Sequence, residues 1–253
     1  MELSTPKLTL IGAGPGDPDL ISVKGLKALQ VARVVLYDAL VAEQLLDYAP
    51  NAIKVYVGKR ANNHTYTQEK IQKLIVHYAL EYGHVVRLKG GDSFVFGRGM
   101  EEVKFAAMYG LATEVIPGIS SAFSVPAAVG IPATERGVSE GVWVITGTTT
   151  KGDISSDIAL AAQSNSTVVI LMGVKNLPHI IQAFTLANKE KTPVAVIQNG
   201  TTPAQRHVVG TIETIFEQVK NKAIGSPAII VIGEVVKNAI ALEQVVQQQI
   251  SYN

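Results

Sequence analysis

Short apolar runs alternate with stretches of helical spacing along most of the chain. In the first half, the apolar runs predict buried strands over residues 7–11, 34–37, 53–57, 85–88 and 113–116. Helical spacing predicts helices over residues 20–32, 65–82 and about 100–109, the second beginning at a capping box and ending before Gly83. Strands and helices that alternate in this way are typical of an α/β fold.

The pair Pro117-Gly118 interrupts this order, and a second α/β series follows it. Its apolar runs predict strands over residues 142–146, 168–172, 194–198 and 228–232, and a last helix over about 235–249. We therefore expect two α/β lobes, residues 1–118 and residues 119–253.

Composition narrows the functional classes that such a fold can serve. With 253 residues, of which 47% are hydrophobic, the chain can bury a large core, and wholesale disorder is excluded. A net charge of +1 provides no overall basic field, so we expect no nucleic-acid partner and no binding to an anionic membrane. The absence of cysteine excludes disulfides, thiolate metal sites and cysteine nucleophiles.

Two other absences shape the expected location and chemistry. The apolar runs reach only five or six residues, far below the roughly 20 that a membrane helix needs, and the N-terminus has no signal-peptide pattern. We therefore expect a cytoplasmic protein. The five histidines show no metal-ligand spacing, and no metal site is expected.

Two glycine-rich loops follow predicted strands of the first lobe. The loop from Gly12 to Asp17 is either a tight turn or a dinucleotide fingerprint, but Pro15 and Asp17 fit a pyrophosphate cradle poorly. The loop from Lys89 to Gly99 holds four glycines, an acid and an arginine at the end of a strand, which favours a binding loop over a plain turn.

Charged residues at other strand ends carry further candidate chemistry. Asp38 and Lys59 both follow predicted strands, so they are either surface charges or a pair that exchanges protons with a substrate. Loop arginines such as Arg136 and Arg206 either grip carboxylates or are ordinary surface residues.

Taken together, these segments resemble the tetrapyrrole methylase family. Nine motifs in family order carry the resemblance, at residues 12–18, 37–41, 58–60, 90–99, 117–121, 131–134, 172–173, 199–201 and 226–228. The resemblance implies a two-lobe α/β fold with the active site in the cleft between the lobes, and a homodimer. It also implies S-adenosylmethionine (SAM) as the cofactor, with S-adenosylhomocysteine as its product.

The resemblance also implies roles for individual residues. Asp38 matches the family's proposed proton acceptor and Lys59 its proton donor. The implied SAM contacts are Pro15, Gly90, Gly91, Asp92, Val95, Ser120, Ser121, Met172 and Gly200. The candidate residues that bind the carboxylates of the substrate are Arg60, Arg98, Arg136 and Arg206.

The implied reaction is two successive methyl transfers to uroporphyrinogen III, at C-2 and C-7, which give precorrin-1 and then precorrin-2 for sirohaem or cobalamin. The chain departs from the family pattern at Ser93, where proline is usual, and at Glu135 and Thr148, where histidines are usual. Three alternatives stay open: a sister methylase acting on a later corrin intermediate, an NAD-dependent oxidoreductase built on Gly12 and Gly14, and a catalytically silent SAM-binding protein.

Overall fold

The computed structural model describes residues 5–58 and 66–239. These residues form two compact units, which divide between Ser120 and Ser121. No helix in the two described ranges is long and apolar enough to cross a membrane.

The first unit is built on a sheet of five parallel strands in the order β3-β2-β4-β1-β5. The strands are β1 (Lys7–Gly12), β2 (Val34–Tyr37), β3 (Ile53–Tyr56), β4 (His84–Lys89) and β5 (Ala112–Ile116). The helices are α1 (Val23–Gln30), α2 (Gln68–Tyr82) and α3 (Gly99–Met108), and 3-10 turns cover Pro18–Leu20 and Glu43–Tyr48.

Alternate residues of these strands bury opposite faces of the sheet. One face packs on α1 and the turn Glu43–Tyr48, through residues such as Val35, Val86 and Leu29. The other face packs on α2 and α3, through residues such as Val34, Val85 and Ile75. The result is a three-layer unit with helices on both faces of a parallel sheet, which leaves the loops at the carboxyl ends of the strands free to carry function.

Two helix starts differ from the sequence expectation. The helix expected over 20–32 is divided, because the Ser22 hydroxyl accepts a hydrogen bond from Gly25 N and starts α1 only at Val23. Helix α2 is capped by Thr67, whose hydroxyl accepts from Lys70 N. Thr65, the first residue of the expected capping box, lies outside the described residues.

The second unit has a mixed sheet in the order β6-β7-β10-β8-β9, in which only β6 and β7 are parallel. The strands are β6 (Val142–Thr146), β7 (Thr167–Leu171), β8 (Pro193–Gln198), β9 (Arg206–Thr211) and β10 (Ala228–Ile232). The helices are α4 (Ser121–Ala127), α5 (Asp157–Gln163), α6 (Leu177–Leu186) and α7 (Ile215–Asn221), and 3-10 turns cover Val174–Asn176 and Glu234–Val236.

Helices again cover both faces of this sheet. Helices α5, α6 and α7 pack on one face, with Phe184 fully buried at its centre, and α4 packs on the other through Val125. Residues 237–239 continue helically after the turn Glu234–Val236, and the remainder of the helix expected over 235–249 lies outside the described residues. Strand β9 was not expected from the sequence.

Candidate functional site

Three loops meet backbone to backbone at the carboxyl edge of the first sheet. They follow β1, β4 and β5, which are neighbours in the sheet, and they bring together Gly12, Gly91 and Gly118. A Cβ on Gly12 would lie 2.7 Å from Gly91 O, and a Cβ on Gly118 would lie 2.6 Å from Gly12 Cα. Only glycine fits such a junction, so the two glycine-rich loops singled out in the sequence do lie side by side.

Hydrogen bonds stabilise this contact of Gly12, Gly91 and Gly118, which we call the glycine junction. Gly91 N donates to Gly14 O at 2.6 Å, and Gly14 N donates to Gly91 O at 3.2 Å. The Asp92 carboxylate accepts from Phe94 N at 2.8 Å through Oδ1 and from Gly118 N at 3.0 Å through Oδ2. Asp92 therefore ties the loop after β4 to the loop after β5, using one oxygen for each.

The other SAM-contact candidates of this unit line the same loops. Pro15, Gly90, Val95 and Ser120 are all half-buried, which leaves part of each accessible. Two non-glycine residues of the loop after β4, Phe96 and Arg98, have φ values of +53° and +59°. Strained backbone of this kind is concentrated at functional loops, where the surrounding structure enforces it.

Asp38 follows β2 and belongs to a buried cluster of charged side chains. Its Oδ1 accepts from Leu40 N at 3.1 Å, and its Oδ2 accepts from Arg87 Nη2 at 3.1 Å. Glu102 Oε1 lies 3.5 Å from Arg87 Nε and accepts from Lys89 Nζ at 3.1 Å. We call Asp38, Arg87, Lys89 and Glu102 the charged cluster.

Burial shapes the chemistry of the charged cluster. Burial lowers the pKa of Lys89, the nearby Arg87 charge lowers it further, and the Glu102 carboxylate opposes both effects. The sequence reasoning did not single out Arg87, Lys89 or Glu102. A usable signal was present, since Arg87 and Lys89 are charges two residues apart in an otherwise apolar strand and must share one face of the sheet.

The predicted proton donor Lys59 and the predicted substrate contact Arg60 both lie outside the described residues. The guanidinium of Arg98 is already paired with a carboxylate of its own chain. Its Nε and Nη2 donate to the two oxygens of Glu101 at 2.8 and 2.7 Å.

The two remaining arginines belong to the second unit and are exposed. Arg136 lies in the turn that joins Glu135 to Ser139. Arg206 was expected in a loop, and this was wrong: it is the first residue of the edge strand β9, where its Nη2 donates to Lys222 O. Glu135, one of the departures from the family pattern, accepts from Asn238 Nδ2 at 2.6 Å.

In the second unit, the loops after β6 and β7 interlock around Met172. Met172 has a φ of +56° and is 53% exposed. The Thr148 hydroxyl donates to Met172 O at 2.8 Å, and Asn176 Nδ2 donates to Gly147 O at 2.7 Å. Thr148, another departure from the family pattern, therefore helps to hold the main chain of a predicted SAM contact.

Gly200 lies in a second strained loop, which follows β8. Its neighbours Asn199 and Thr201 have φ values of +49° and +64°. A Cβ on Gly200 would collide with both methyl groups of Val125 on α4, the Cγ2 carbon lying 2.6 Å away. The half-buried Ser121 begins the same helix, so α4 backs one predicted SAM contact and carries another.

The fold and these loops define a two-unit α/β protein with glycine-rich loops at the ends of its strands. Residues 7–215 match the family of Tetrapyrrole (Corrin/Porphyrin) Methylases. The chain belongs to this family, and the expected family and fold class are confirmed.

Individual relatives agree with this assignment. The chain is 46% identical to the uroporphyrinogen-III C-methyltransferase of Methanocaldococcus jannaschii, over 92% of this chain and 97% of that protein. It is similar to the structure of Thermus thermophilus uroporphyrin-III C-methyltransferase complexed with S-adenosylhomocysteine, with a TM-score of 0.79 and 38% identity over 91% and 99% of the two chains. It is also similar to a cobalt precorrin-4 methyltransferase, with a TM-score of 0.81 and 30% identity over 91% and 95% of the chains.

Proposed function

We propose that this protein is a SAM-dependent C-methyltransferase whose substrate is uroporphyrinogen III. The observation that carries the proposal is its 38% identity, over 91% of the chain, with a uroporphyrin-III methyltransferase that binds S-adenosylhomocysteine. The glycine junction supports it, because it brings the loops after β1, β4 and β5 side by side at the carboxyl edge of the sheet, where open α/β sheets bind ligands.

The residues that would hold SAM are those that the resemblance to the family implies. In the first unit they are Pro15, Gly90, Gly91, Asp92, Val95 and Ser120, and in the second Ser121, Met172 and Gly200. The accessible, half-buried loop residues and the enforced positive φ values fit a ligand held mainly by main chain. Asp92 would contribute by holding two loops together, since both of its oxygens accept from main-chain N–H groups.

When bound, SAM supplies an activated methyl group on a sulfonium. The electron-rich pyrrole carbon forms the new C–C bond as the C–S bond breaks, and the ring then releases a proton. Asp38 would accept that proton, since its carboxylate is held by two hydrogen bonds and keeps 24% of its side chain exposed. The protein's main contribution is to align the reactants and to exclude water.

The finer assignments belong to the same proposal. They are methylation at C-2 and then at C-7, precorrin-1 and precorrin-2 as products, a place in sirohaem or cobalamin synthesis, Lys59 as proton donor, and Arg60, Arg98, Arg136 and Arg206 as substrate contacts. We also propose that the protein is cytoplasmic and forms a homodimer. Light scattering on the purified protein tests the oligomeric state.

A sister methylase acting on a later corrin intermediate is the second candidate, because the fold match to the cobalt precorrin-4 enzyme is as good as the first. The higher identity to the uroporphyrinogen-III enzymes favours the first candidate. Incubation with uroporphyrinogen III and methyl-labelled SAM tests it, and label in precorrin-2 is the expected result. Label that enters only later corrin intermediates would favour the sister activity. A protein that binds NAD tightly and does not bind S-adenosylhomocysteine would exclude both methylase candidates.

A further inference from the structure

The charged cluster lies at the carboxyl end of the sheet face that packs on α2 and α3. Arg87 and Lys89 project from this face of β4, with only 4% and 8% of their side chains exposed. Glu102 reaches them from α3 and its side chain is fully buried. Asp38 is the most exposed of the four members, so the cluster connects a buried interior to one accessible carboxylate.

Stability alone does not explain the cluster. Removing ions from water is unfavourable, and well-packed apolar residues at such positions often give a protein that is as stable or more stable. Two of its buried atoms, Arg87 Nε and Glu102 Oε2, have no hydrogen-bond partner among the described residues. Each such atom has lost its hydrogen bonds to water without replacing them, which destabilises the folded state. The same face of the sheet is otherwise apolar, so apolar side chains at these positions would pack there without the desolvation of buried charges.

The contacts of Arg87 are those of a rigid support for Asp38. On one side its Nη1 donates to Leu88 O at 2.8 Å, and on the other its Nη2 donates to Asp38 Oδ2 at 3.1 Å. Glu102 Oε1, which also accepts from Gln68 Nε2 at 3.0 Å, lies beside Arg87 Nε and balances the guanidinium charge. A planar guanidinium held in this way fixes the carboxylate orientation, which a lysine cannot reproduce.

We propose that Arg87 is a positioning residue that acts through Asp38, that Glu102 holds Arg87 in place, and that Lys89 in turn holds Glu102. Arg87 fixes the accessible carboxylate in the orientation in which it accepts the proton released by the methylated ring. This inference rests on the proposed function of Asp38.

The test is a double-mutant cycle on steady-state methyl transfer. Arg87→Lys is expected to lower kcat by at least about tenfold, while the KM for uroporphyrinogen III and the Kd for S-adenosylhomocysteine change by less than about twofold. In an Asp38→Asn background, where there is no carboxylate to orient, Arg87→Lys should lower kcat by less than about twofold further. If Arg87→Lys does not fold, Glu102→Gln provides the same comparison.

The matched control is Glu114→Gln. It removes the carboxylate of a residue on the edge strand β5, which pairs with Lys7 and Lys24, and it should leave kcat unchanged. The inference is overturned if Arg87→Lys keeps full kcat, or if it costs the same factor with and without Asp38. Full activity of Asp38→Asn would instead overturn the proton-acceptor role itself, so the two failures are distinguishable.

Discussion

The contact between Gly200 and Val125 allows the packing of a predicted SAM loop to be tested. In Gly200→Ala, the new methyl group would meet Val125 Cγ2 at 2.6 Å and Val125 Cβ at 2.9 Å, and Val125 is only 2% exposed. Such overpacking costs about 1–3 kcal/mol. Gly200 has no positive φ, so replacing it with alanine recovers roughly 0.4–1 kcal/mol by restricting the unfolded chain. We expect a net destabilisation of about 1–2 kcal/mol.

Val125→Ala removes both colliding methyl groups and should relieve the clash. Alone, it leaves a cavity that costs about 1–3 kcal/mol. Added without coupling, the two variants would therefore lose about 2–5 kcal/mol. In the double variant the new methyl group partly fills the cavity, with only the 2.9 Å approach to Cβ left to relax, so we expect a loss of about 1–2 kcal/mol.

Urea unfolding of the four proteins measures these free energies, and calorimetry with S-adenosylhomocysteine follows the loop itself. Affinity should fall in Gly200→Ala and recover in part in the double variant. The control is Gly225→Ala in the same unit, where a Cβ would meet only Gln198 Nε2 at 3.7 Å. Free energies that add within about 0.5 kcal/mol would refute the clash.

Two further expectations concern the ion pairs and the Met172 loop. Hydrogen bonds from Lys24 and Lys7 lower the pKa of Glu114 to about 2, so its stabilisation is complete above pH 4.5 and is lost as the pH falls towards 2. Because the carboxylate is partly exposed, Glu114→Gln should lower the free energy of unfolding by only about 1 kcal/mol at pH 7. Thermal unfolding should show that this difference from the unsubstituted protein vanishes near pH 2, and an equal difference at both pH values would contradict the expectation. Thr148→Val removes the donor to Met172 O and should weaken S-adenosylhomocysteine binding about fivefold, by roughly 1 kcal/mol. Calorimetry measures this affinity, and an unchanged value would contradict the expectation.

The nine strands expected from apolar runs all occur, each within one residue of its expected bounds. The central strands are buried on both faces. The edge strands β3, β5 and β6 are largely exposed or half-buried, but they are rich in β-branched or aromatic residues, which is enough to mark them. Strand β9 escaped because Arg206–Thr211 contains only two adjacent apolar residues, Val208 and Val209, followed directly by Gly210, and so short a run does not mark a strand.

The candidate site divides along a similar line. The glycines of the loops after β1 and β4 could be singled out because unusual backbone needs glycine, whatever surrounds it. The hydrogen bonds of Asp92 with Gly118 N and of Thr148 with Met172 O could not be predicted, since each joins loops that follow different strands. The charged cluster was missed for the same reason, because Arg87 and Glu102 are distant in sequence and meet only when α3 packs on β4.

By itself, the sequence determined the family, through motifs in a fixed order. It also determined the α/β class and the places where glycine-rich loops leave the strands, because apolar periodicity and glycine requirements are local properties. Only the tertiary structure decided the strand order, the glycine junction and the partners of each charged side chain. These depend on which segments the packed core brings together. A charge in an apolar strand has a cost that is visible in the sequence, but its purpose depends on the partner that it meets after folding.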